Sequence, residues 1–528
     1  MELIEASNPH RQKAERGKDM EFTVTQAPLR REKADALILP LFQDEDFDRL
    51  RLQKALREHV RSVAIDTHDF AGKKKEVFYL PAPRAFANLG RIFLVGLGKQ
   101  EAYDQQVLRE GIASVMRALK KYSVEKALLL ARPVLVPGRN WMQFGQIVAE
   151  ATRLGRYEFE EYKGSAEEDE ISRKKRKELT RVAIAGAQAS QQEALKAGFK
   201  KGEILAEAAI YTRNLCNQPP NVMNPGRMAA EAEALAAEFD VDCEILETKE
   251  MEDLQMNALL AVGKGSTQQP RLIILKYSKG PKGMKPVALV GKGVTFDSGG
   301  ISLKPSKNMD EMKFDMSGGA VVLGVIRAVA ALNLPVNVVA AIPAVENLPD
   351  GNASKPGDIV KAMNGKTIEI LNTDAEGRLI LADALSYIEK EYDPGVIVDL
   401  ATLTGAVVVA LGSAAAGIMG NDDGLIEDLR RFGDNAGERL WPLPLYDDYR
   451  EQIKSDVADI KNIGGGPAGV TVGGAFLSHF IEEGRRWAHI DIAGVAWTTK
   501  DTPLAKKGAT GFGVRLLAEW LSAQVKKN

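Results

Sequence analysis

Cysteine is nearly absent from this chain, whose 528 residues include only Cys216 and Cys243. Neither belongs to a C-x-x-C pair, so a disulfide framework is not expected and a reducing compartment fits. The residues from Met1 to Met20 lack an apolar run, and the sequence therefore shows no secretory signal. Together these absences lead us to expect a cytoplasmic protein.

Histidine is also scarce. The five histidines are His10, His59, His68, His479 and His489. None of them forms an H-E-x-x-H motif, which excludes a zinc peptidase that uses two helical histidines as ligands. No serine completes a G-x-S-x-G motif, which argues against a serine nucleophile. We interpret His489, which lies in the apolar run 487–495, as a core histidine rather than a metal ligand.

An excess of charge of one sign is missing as well. The 70 Lys and Arg residues nearly balance the 72 Asp and Glu residues, which gives a formal net charge of −2. No overall field therefore favours nucleic acid or an anionic membrane. The basic run 173–177 and the lysines at 73–75 keep a local DNA-binding patch open as an alternative. Because acidic residues precede the run 173–177, we expect a solvated linker there.

Segments typical of strands and of helices alternate along the chain, which predicts α/β domains. The polar residues 1–19 predict a disordered tail, and residues 20–180 predict a small N-terminal α/β domain. We expect a linking helix over 181–213 and a second α/β domain over 214–528. The sequence therefore predicts two domains of the same structural class.

Two local features are predicted inside the second domain. The apolar run Val336–Ile342 predicts a buried strand. Residues 364–365, Asn-Gly, lie between two further strand-like runs and predict a β-hairpin with a type I′ turn.

Acidic residues stand at several junctions between strands and helices, among glycine-rich turns. They are Asp297, Asp315, Asp374 and Glu376. One acidic residue before a helix is ordinarily an N-cap, but four carboxylates gathered together would repel one another unless a cation neutralised them. Oxygen ligands without histidine suit Mg, Mn or Zn. Since ligands of α/β proteins bind at the carboxyl edge of the sheet, the pattern predicts a metal site there.

Two other functions remain open at this point. Gly464, Gly466 and Gly469 form a G-x-G-x-x-G pattern, although Pro467 lies inside it and no clear apolar strand precedes it. A dinucleotide site requires strand, turn and helix in that order, so we expect a mobile loop instead. A phosphoesterase is the second alternative, because the predicted metals could also hold a phosphate.

The segment 372–379, Asn-Thr-Asp-Ala-Glu-Gly-Arg-Leu, resembles the signature of the leucyl aminopeptidase family. Segments 291–305, 213–221 and 401–406 resemble further motifs of that family, in the same order. The resemblance is strong from about residue 200 to 528 and weak before residue 180. It implies a C-terminal catalytic domain with a mixed sheet in an α/β/α arrangement and a smaller α/β domain before it.

The resemblance also implies a role for particular residues. Two divalent metal ions, manganese or zinc, would be held by Lys292, Asp297, Asp315, Asp374 and Glu376. Lys292 would bind as a neutral amine, and a metal-bridging hydroxide would attack the peptide. Lys304 would polarise the scissile carbonyl, and Arg378 would hold a bicarbonate that acts as general base. The activity implied is removal of the N-terminal residue from peptides.

The substrate pocket and the assembly follow from the same resemblance. The residues implied to line the pocket are Met312, Thr402, Gly405 and Ala493. They suit leucine or a similar apolar side chain, although Ala496 stands where the family often has methionine and would widen the pocket. Family members are cytoplasmic homohexamers, and some in bacteria also bind DNA, so both properties are expectations for this chain.

Overall fold

The computed structural model describes residues 20–48, 50, 52–163 and 177–525. The predicted tail 1–19 and the basic run 173–177, except Lys177, lie outside the described residues. The chain divides into two compact units. Unit 1 extends to Glu207 and includes Asp501–Lys506, and unit 2 contains the remainder. Two α/β domains were predicted, and both the class and the presence of two domains are confirmed.

Unit 1 is built on a six-stranded sheet. Its strands are β1 (Glu21–Thr25), β2 (Ala36–Leu41), β3 (Val77–Pro81), β4 (Arg91–Gly96), β5 (Lys126–Leu130) and β6 (Arg181–Ala185). Their order is β1-β6-β5-β2-β4-β3, and neighbours are parallel except that β3 is antiparallel to β4. All six residues of β2 are buried, as expected for a central strand covered on both faces.

Helices cover both faces of this sheet. They are α1 (Lys54–Val60), α2 (Gln105–Leu119) and α3 (Trp141–Arg156), with shorter helical turns at Arg61–Ile65, Arg84–Leu89, Gln100–Ala102, Pro133–Leu135, Pro137–Arg139 and Ala189–Gln191. Ile38 of β2 packs with residues of α2 and α3 in one apolar cluster. Its neighbours Leu37 and Leu39 point to the opposite face and pack with residues of α1.

Residues 181–185 differ from the prediction of a linking helix over 181–213. They form strand β6, which pairs with β1 on one side and β5 on the other. The physical reason is that Val182 and Ile184 complete an apolar cluster of unit 1. The helix itself, α4, runs over Gln192–Asn217.

Unit 2 contains a larger sheet. Its strands are β7 (Asp242–Leu246), β8 (Arg271–Ser278), β9 (Val287–Gly291), β10 (Gly293–Asp297), β11 (Asn337–Asn347), β14 (Val396–Ala401), β15 (Ala416–Gly420), β16 (Leu440–Pro442) and β18 (Arg486–Asp491). Shorter strands are β12 (Ile359–Lys361), β13 (Thr367–Glu369), β17 (Ile460–Lys461), β19 (Trp497–Thr498) and β20 (Gly508–Ala509). The large sheet has the order β16-β15-β18-β14-β9-β11-β8-β7, with β10 beside β11. Parallel and antiparallel neighbours both occur, which confirms the predicted mixed sheet.

The helices of unit 2 follow the strands closely in sequence. They are α5 (Pro225–Phe239), α6 (Thr248–Asp253), α7 (Asn257–Gly263), α8 (Ser317–Ala331), α9 (Gly377–Tyr392), α10 (Gly405–Leu411), α11 (Asp423–Ala436), α12 (Asp447–Glu451), α13 (Gly469–Ser478) and α14 (Val514–Gln524). A 3₁₀ helix over Met309–Met316 leads directly into α8. The stretch Met309–Ala331 is apolar and long enough to cross a membrane, but 83% of its most apolar window is buried inside the protein, as in a core helix.

The hairpin around residue 364 is confirmed, but its predicted turn type is wrong. Strands β12 and β13 pair antiparallel, with Lys361 opposite Thr367. Gly365 has a positive φ of 91°, whereas Asn364 does not have a positive φ. A type I′ turn needs positive φ at both central residues. The five-residue loop has a positive φ at Gly365 but not at Asn364, so its turn is of another type. The backbone N–H of Met363 donates instead to the buried carboxyl of Asp383.

Asp383 gives the fold a testable dependence on pH. It lies fully buried in α9 and accepts hydrogen bonds from the backbone N–H groups of Leu259 and Met363 at 2.9 and 2.8 Å. Burial raises the pKa of Asp383 from its ordinary value of 3.8 to about 7. A raised folded-state pKa favours folding below the unfolded value, and that advantage is lost as the pH rises through about 7.

We therefore expect the free energy of unfolding to decline relative to that of Asp383→Asn between pH 4 and pH 7. The slope should approach about 1.4 kcal/mol per pH unit. Urea unfolding of both proteins across this range measures the difference, and Glu391→Gln on the exposed end of α9 is the control. A difference between wild type and Asp383→Asn that stays constant with pH would show that Asp383 titrates normally.

Candidate metal centre and active site

The predicted ligands come together at one edge of the large sheet. Lys292 follows β9, and Asp297 is the last residue of β10. Asp315 lies in the 3₁₀ helix before α8, whereas Asp374 and Glu376 directly precede α9. Because β9, β10 and β14 run in the same direction in the sheet, their carboxyl ends meet at this edge.

Two lysines and four carboxylates form the centre of this site. Lys292 Nζ lies 2.8 Å from Asp315 Oδ2 and 2.7 Å from Glu376 Oε1. Lys304 Nζ lies 2.8 Å from Asp297 Oδ2 and 2.5 Å from Asp374 Oδ1. One carboxylate oxygen from each of Asp297, Asp374 and Glu376 lies within 4.8 Å of the others. The structure therefore brings all five predicted metal ligands and Lys304 together.

The chemistry of this donor set fits divalent cations. Its four carboxylates face only two ammonium groups, which leaves excess negative charge in a buried place. Burial, followed by the charge of Glu376, raises the pKa of Asp297. Glu376 Oε2 is buried and has no hydrogen-bond partner among the described residues. A buried carboxylate oxygen without a partner is costly unless a cation binds it.

Lys292 is held as an ammonium group by its surroundings. Burial lowers the pKa of Lys292, but the negative charges of Asp315, Glu376 and Asp297 outweigh that effect and raise it above the usual value. Lys292 Nζ also donates to the backbone oxygen of Thr402 at 3.0 Å. A neutral Lys292 amine therefore requires other positive charges to neutralise these carboxylates first.

Arg378 lies in the first turn of α9, next to the cluster. Its Nη1 donates to the backbone oxygen of Asn462 at 2.7 Å, and its Nε is buried without a partner in the described part of the chain. Burial lowers the pKa of Arg378 to about 10, while Glu376 and Asp491 favour its charged form. Cationic guanidinium and a helix N-terminus together favour an anion.

The four predicted pocket residues are not equally close to the cluster. Thr402 belongs to it, because its Oγ1 donates to Asp315 Oδ1 at 2.7 Å. Met312 lies in the same 3₁₀ helix as Asp315, and Gly405 begins α10 beside open space. Ala493 packs in a small apolar cluster with Val407, Met419 and Val470.

Two asparagines of the site were missed by the sequence analysis. Asn347 ends β11 and donates to Asp297 Oδ1 at 2.8 Å. Asn462 Oδ1 accepts from the backbone N–H of Leu371 at 2.9 Å, and its Nδ2 donates to the backbone oxygen of Asn372 at 2.7 Å. The signal in the sequence was slight, since a single asparagine in a loop or at a strand end is common.

His489 and the glycine pattern lie apart from these contacts. His489 is fully buried, and its Nδ1 lies 2.5 Å from Asp399 Oδ1, which agrees with the interpretation as a core histidine. Trp487 Nε1 donates to the other oxygen of Asp399 at 2.7 Å. Gly464 and Gly466 lie in the loop between the two-residue strand β17 and α13.

Gly299 allows the two ligand-bearing loops to approach. Its φ is +88°, and a Cβ there would lie 2.5 Å from the Ser302 backbone oxygen and 2.8 Å from Asp374 Oδ1. We expect Gly299→Ala to lower kcat/KM by about 100-fold or more, since small misplacements at a reacting centre cost that much. Gly283→Ala is a matched control, with a φ of +83° and nothing within 4 Å. Equal activity of both variants, measured by steady-state kinetics, would show that close approach at Gly299 does not matter for activity.

Comparison with known proteins identifies the family of this chain. The model of the cytosol aminopeptidase family, catalytic domain, matches residues 210–518, and the model of its N-terminal domain matches residues 38–166. A probable cytosol aminopeptidase of Nitrosococcus oceani is 42% identical over 508 residues, 95% of this chain and 98% of the relative. One from Geobacter sulfurreducens is 47% identical over 437 residues, 83% and 86% of the two chains.

A solved structure with the same fold is the bottromycin maturation enzyme BotP. It has a TM-score of 0.80 and 30% identity, and the match covers 93% of this chain and all of BotP. BotP in complex with Mn gives the same TM-score of 0.80 with 31% identity. Since the family models and the curated relatives span most of the chain, it belongs to the cytosol aminopeptidase family and is a hydrolase, a metal-dependent aminopeptidase.

Proposed function

We propose that the chain removes the N-terminal residue from peptides at a centre of two divalent cations, manganese or zinc. The ligands would be Lys292, Asp297, Asp315, Asp374 and Glu376. The observation that carries the proposal is the convergence of three carboxylate oxygens within 4.8 Å of one another. Manganese in the related BotP structure supports the metal class. We assign catalysis to the domain over 214–528.

Bound cations would supply two things: an acidified water as the nucleophile and a Lewis acid for the carbonyl. Lys304 is suited to stabilise negative charge on the carbonyl oxygen, because Asp297 and Glu376 outweigh burial and raise its pKa. Lys304 also remains accessible to a ligand, with its side chain about one fifth exposed.

Arg378 is proposed to hold a bicarbonate that accepts a proton from the nucleophile. Its unpartnered Nε and its place in the first turn of α9 support this role. The anchoring bond to the Asn462 backbone oxygen fixes the guanidinium while leaving donors for an anion. Bicarbonate offers a planar oxygen pair that matches such a fork.

Specificity for leucine or a similar apolar residue is proposed for the pocket of Met312, Thr402, Gly405 and Ala493. The open space beside Gly405 and the apolar cluster around Ala493 support an apolar wall. Ala496 is buried and small, which suits a pocket that also accepts larger residues.

A cytoplasmic homohexamer is proposed as the working form. Val409 is 89% exposed in a single chain, and Trp441 is 59% exposed. Contact between copies would remove the apolar surface of these side chains from water. DNA binding receives less support, because Lys75 pairs with Glu110 at 3.1 Å and Lys177 pairs with Glu125 at 3.1 Å. We therefore propose the peptidase activity alone.

The test is hydrolysis of leucyl p-nitroanilide by metal-loaded protein, beside its N-acetylated form and the alanyl and phenylalanyl anilides. We expect cleavage that requires a free α-amine, ceases with a chelator and is fastest for the leucyl substrate. Equal cleavage of the N-acetylated substrate would contradict an aminopeptidase. A faster rate on the alanyl substrate would contradict only the proposed preference.

A further inference from the structure

Asn347 occupies a buried position between the segment that carries Asp297 and the segment that carries Asp374 and Glu376. Its side-chain Nδ2 donates to Asp297 Oδ1 at 2.8 Å and to the backbone oxygen of Thr373 at 2.9 Å. Its backbone oxygen accepts from Ser298 N at 3.0 Å and from Ser298 Oγ at 2.7 Å. One residue at the end of β11 therefore touches both loops, and only 4% of it is exposed.

These contacts determine which oxygen of Asp297 faces the cluster. Oδ1 accepts from Asn347 Nδ2 and from the backbone N–H of Gly299, each at 2.8 Å. Among the described residues, Oδ2 is instead approached by Lys304 Nζ at 2.8 Å, on the side of the cluster. The carboxylate is thereby fixed in rotation, with one oxygen directed into the protein and one into the site.

The contact to Thr373 fixes the second loop. Thr373 directly precedes Asp374, and the amide of Asn347 holds its backbone oxygen. Ser302 links the same two loops, since its backbone N–H donates to Thr373 Oγ1 at 2.8 Å and its Oγ accepts from Thr373 N at 3.1 Å. Ser302, unlike Asn347, touches no carboxylate of the cluster in the hydrogen bonds of the described residues.

Packing alone would not replace the hydrogen bonds of Asn347. Its side chain borders a small cavity, shared with Ala353, Ile370 and Thr373. A residue beside a cavity has fewer packing contacts to hold its side chain in place. The interaction that keeps Asp297 aligned is therefore polar and directional rather than steric.

We propose that Asn347 is a positioning residue that sets the spacing between Asp297 and the Asp374–Glu376 segment. The inference rests on the proposed metal centre and adds a residue outside the ligand set. Outer partners of metal ligands orient them, and their loss typically lowers metal affinity about 10- to 100-fold. Asn347 contacts two ligand segments at once, so the positions of Asp297 and of Asp374 both depend on it.

The test compares Asn347→Leu, which keeps the approximate volume without the donors, with Ser302→Ala, which weakens the loop contact but leaves Asp297 alone. Metal-free protein is titrated with Mn²⁺ in competition with a chromophoric chelator, and thermal unfolding is measured without metal. We expect Asn347→Leu to weaken Mn²⁺ binding by about 10- to 100-fold. Ser302→Ala should keep the wild-type affinity. In Asn347→Leu, activity should rise with Mn²⁺ well beyond the concentration that saturates the wild type.

Asn347→Asp is a second, isosteric variant, in which an acceptor replaces the donor to Asp297. It should weaken Mn²⁺ binding as well if it folds. Wild-type affinity in both Asn347 variants, or an equal loss in Ser302→Ala, would overturn the inference. Glu376→Gln distinguishes a failure of the proposed metal centre from a failure of the role proposed for Asn347. If Glu376→Gln binds Mn²⁺ like the wild type, the proposed metal centre is wrong. If Glu376→Gln loses Mn²⁺ affinity but the Asn347 variants do not, only the role of Asn347 is wrong.

Discussion

Replacing Glu376 with glutamine is expected to remove both activity and metal binding. The substitution keeps the shape of the side chain but removes a charge that lies 2.7 Å from Lys292 Nζ. It also removes an oxygen, Oε2, that is buried and has no partner in the described chain. We expect kcat/KM to fall at least about 1,000-fold, beyond the 10- to 100-fold typical of residues around a metal site.

Steady-state kinetics and Mn²⁺ titration of Glu376→Gln measure this effect. Glu391→Gln is the control, since Glu391 lies exposed near the other end of the same helix α9. The control should keep the activity and metal affinity of the wild type. A Glu376→Gln protein that binds Mn²⁺ normally and cleaves within tenfold of the wild-type rate would show that Glu376 is a structural acid.

Replacing Lys304 with methionine is expected to separate catalysis from metal binding. Lys304 holds positive charge beside the carboxylates of Asp297 and Asp374, at 2.8 and 2.5 Å. Loss of a group that stabilises charge in the transition state typically lowers kcat by about 100- to 1,000-fold. The affinity for divalent cations should not fall, because removal of the ammonium group leaves these carboxylates more available.

The two predictions differ in metal affinity, which should fall in Glu376→Gln and should not fall in Lys304→Met. Kinetics across substrate and Mn²⁺ concentrations therefore distinguish the two roles. Lys307→Met is the matched control, because Lys307 is an exposed lysine of the same loop. Weaker Mn²⁺ binding in Lys304→Met, together with an unchanged kcat at saturating metal, would mean that Lys304 only supports the structure of the ligands.

The ligand set could be predicted from sequence because its residues occupy short, distinctive motifs. Residues 372–379 hold two acids and Arg378 within one short segment, and the motif after β9 holds Lys292, Asp297 and Lys304. The residues that orient them could not be predicted in this way. Asn347 meets Thr373 across 26 positions of the chain, and Asn462 meets Leu371 across 91. Contacts of this kind exist only after folding.

The errors in the fold have the same origin. The strand was predicted over Val336–Ile342, yet β11 continues to Asn347. Its last residues, Glu346 and Asn347, are polar but buried, because they pair with β10, and Asn347 reaches the site. Residues 181–185 likewise form a strand because they pair with β5 in the sheet of unit 1. The local sequence pattern of a strand does not show which strand it pairs with, here β10 and β5.

The central claim is that this cluster binds two divalent cations and needs both for activity. Calorimetric titration of chelator-stripped protein with Mn²⁺, with leucyl anilide hydrolysis measured at each addition, tests it most directly. We expect binding to saturate at two equivalents per chain and hydrolysis to appear as the second equivalent binds. Full hydrolysis without added metal, or saturation at two equivalents without any hydrolysis of aminoacyl anilides, would contradict the claim.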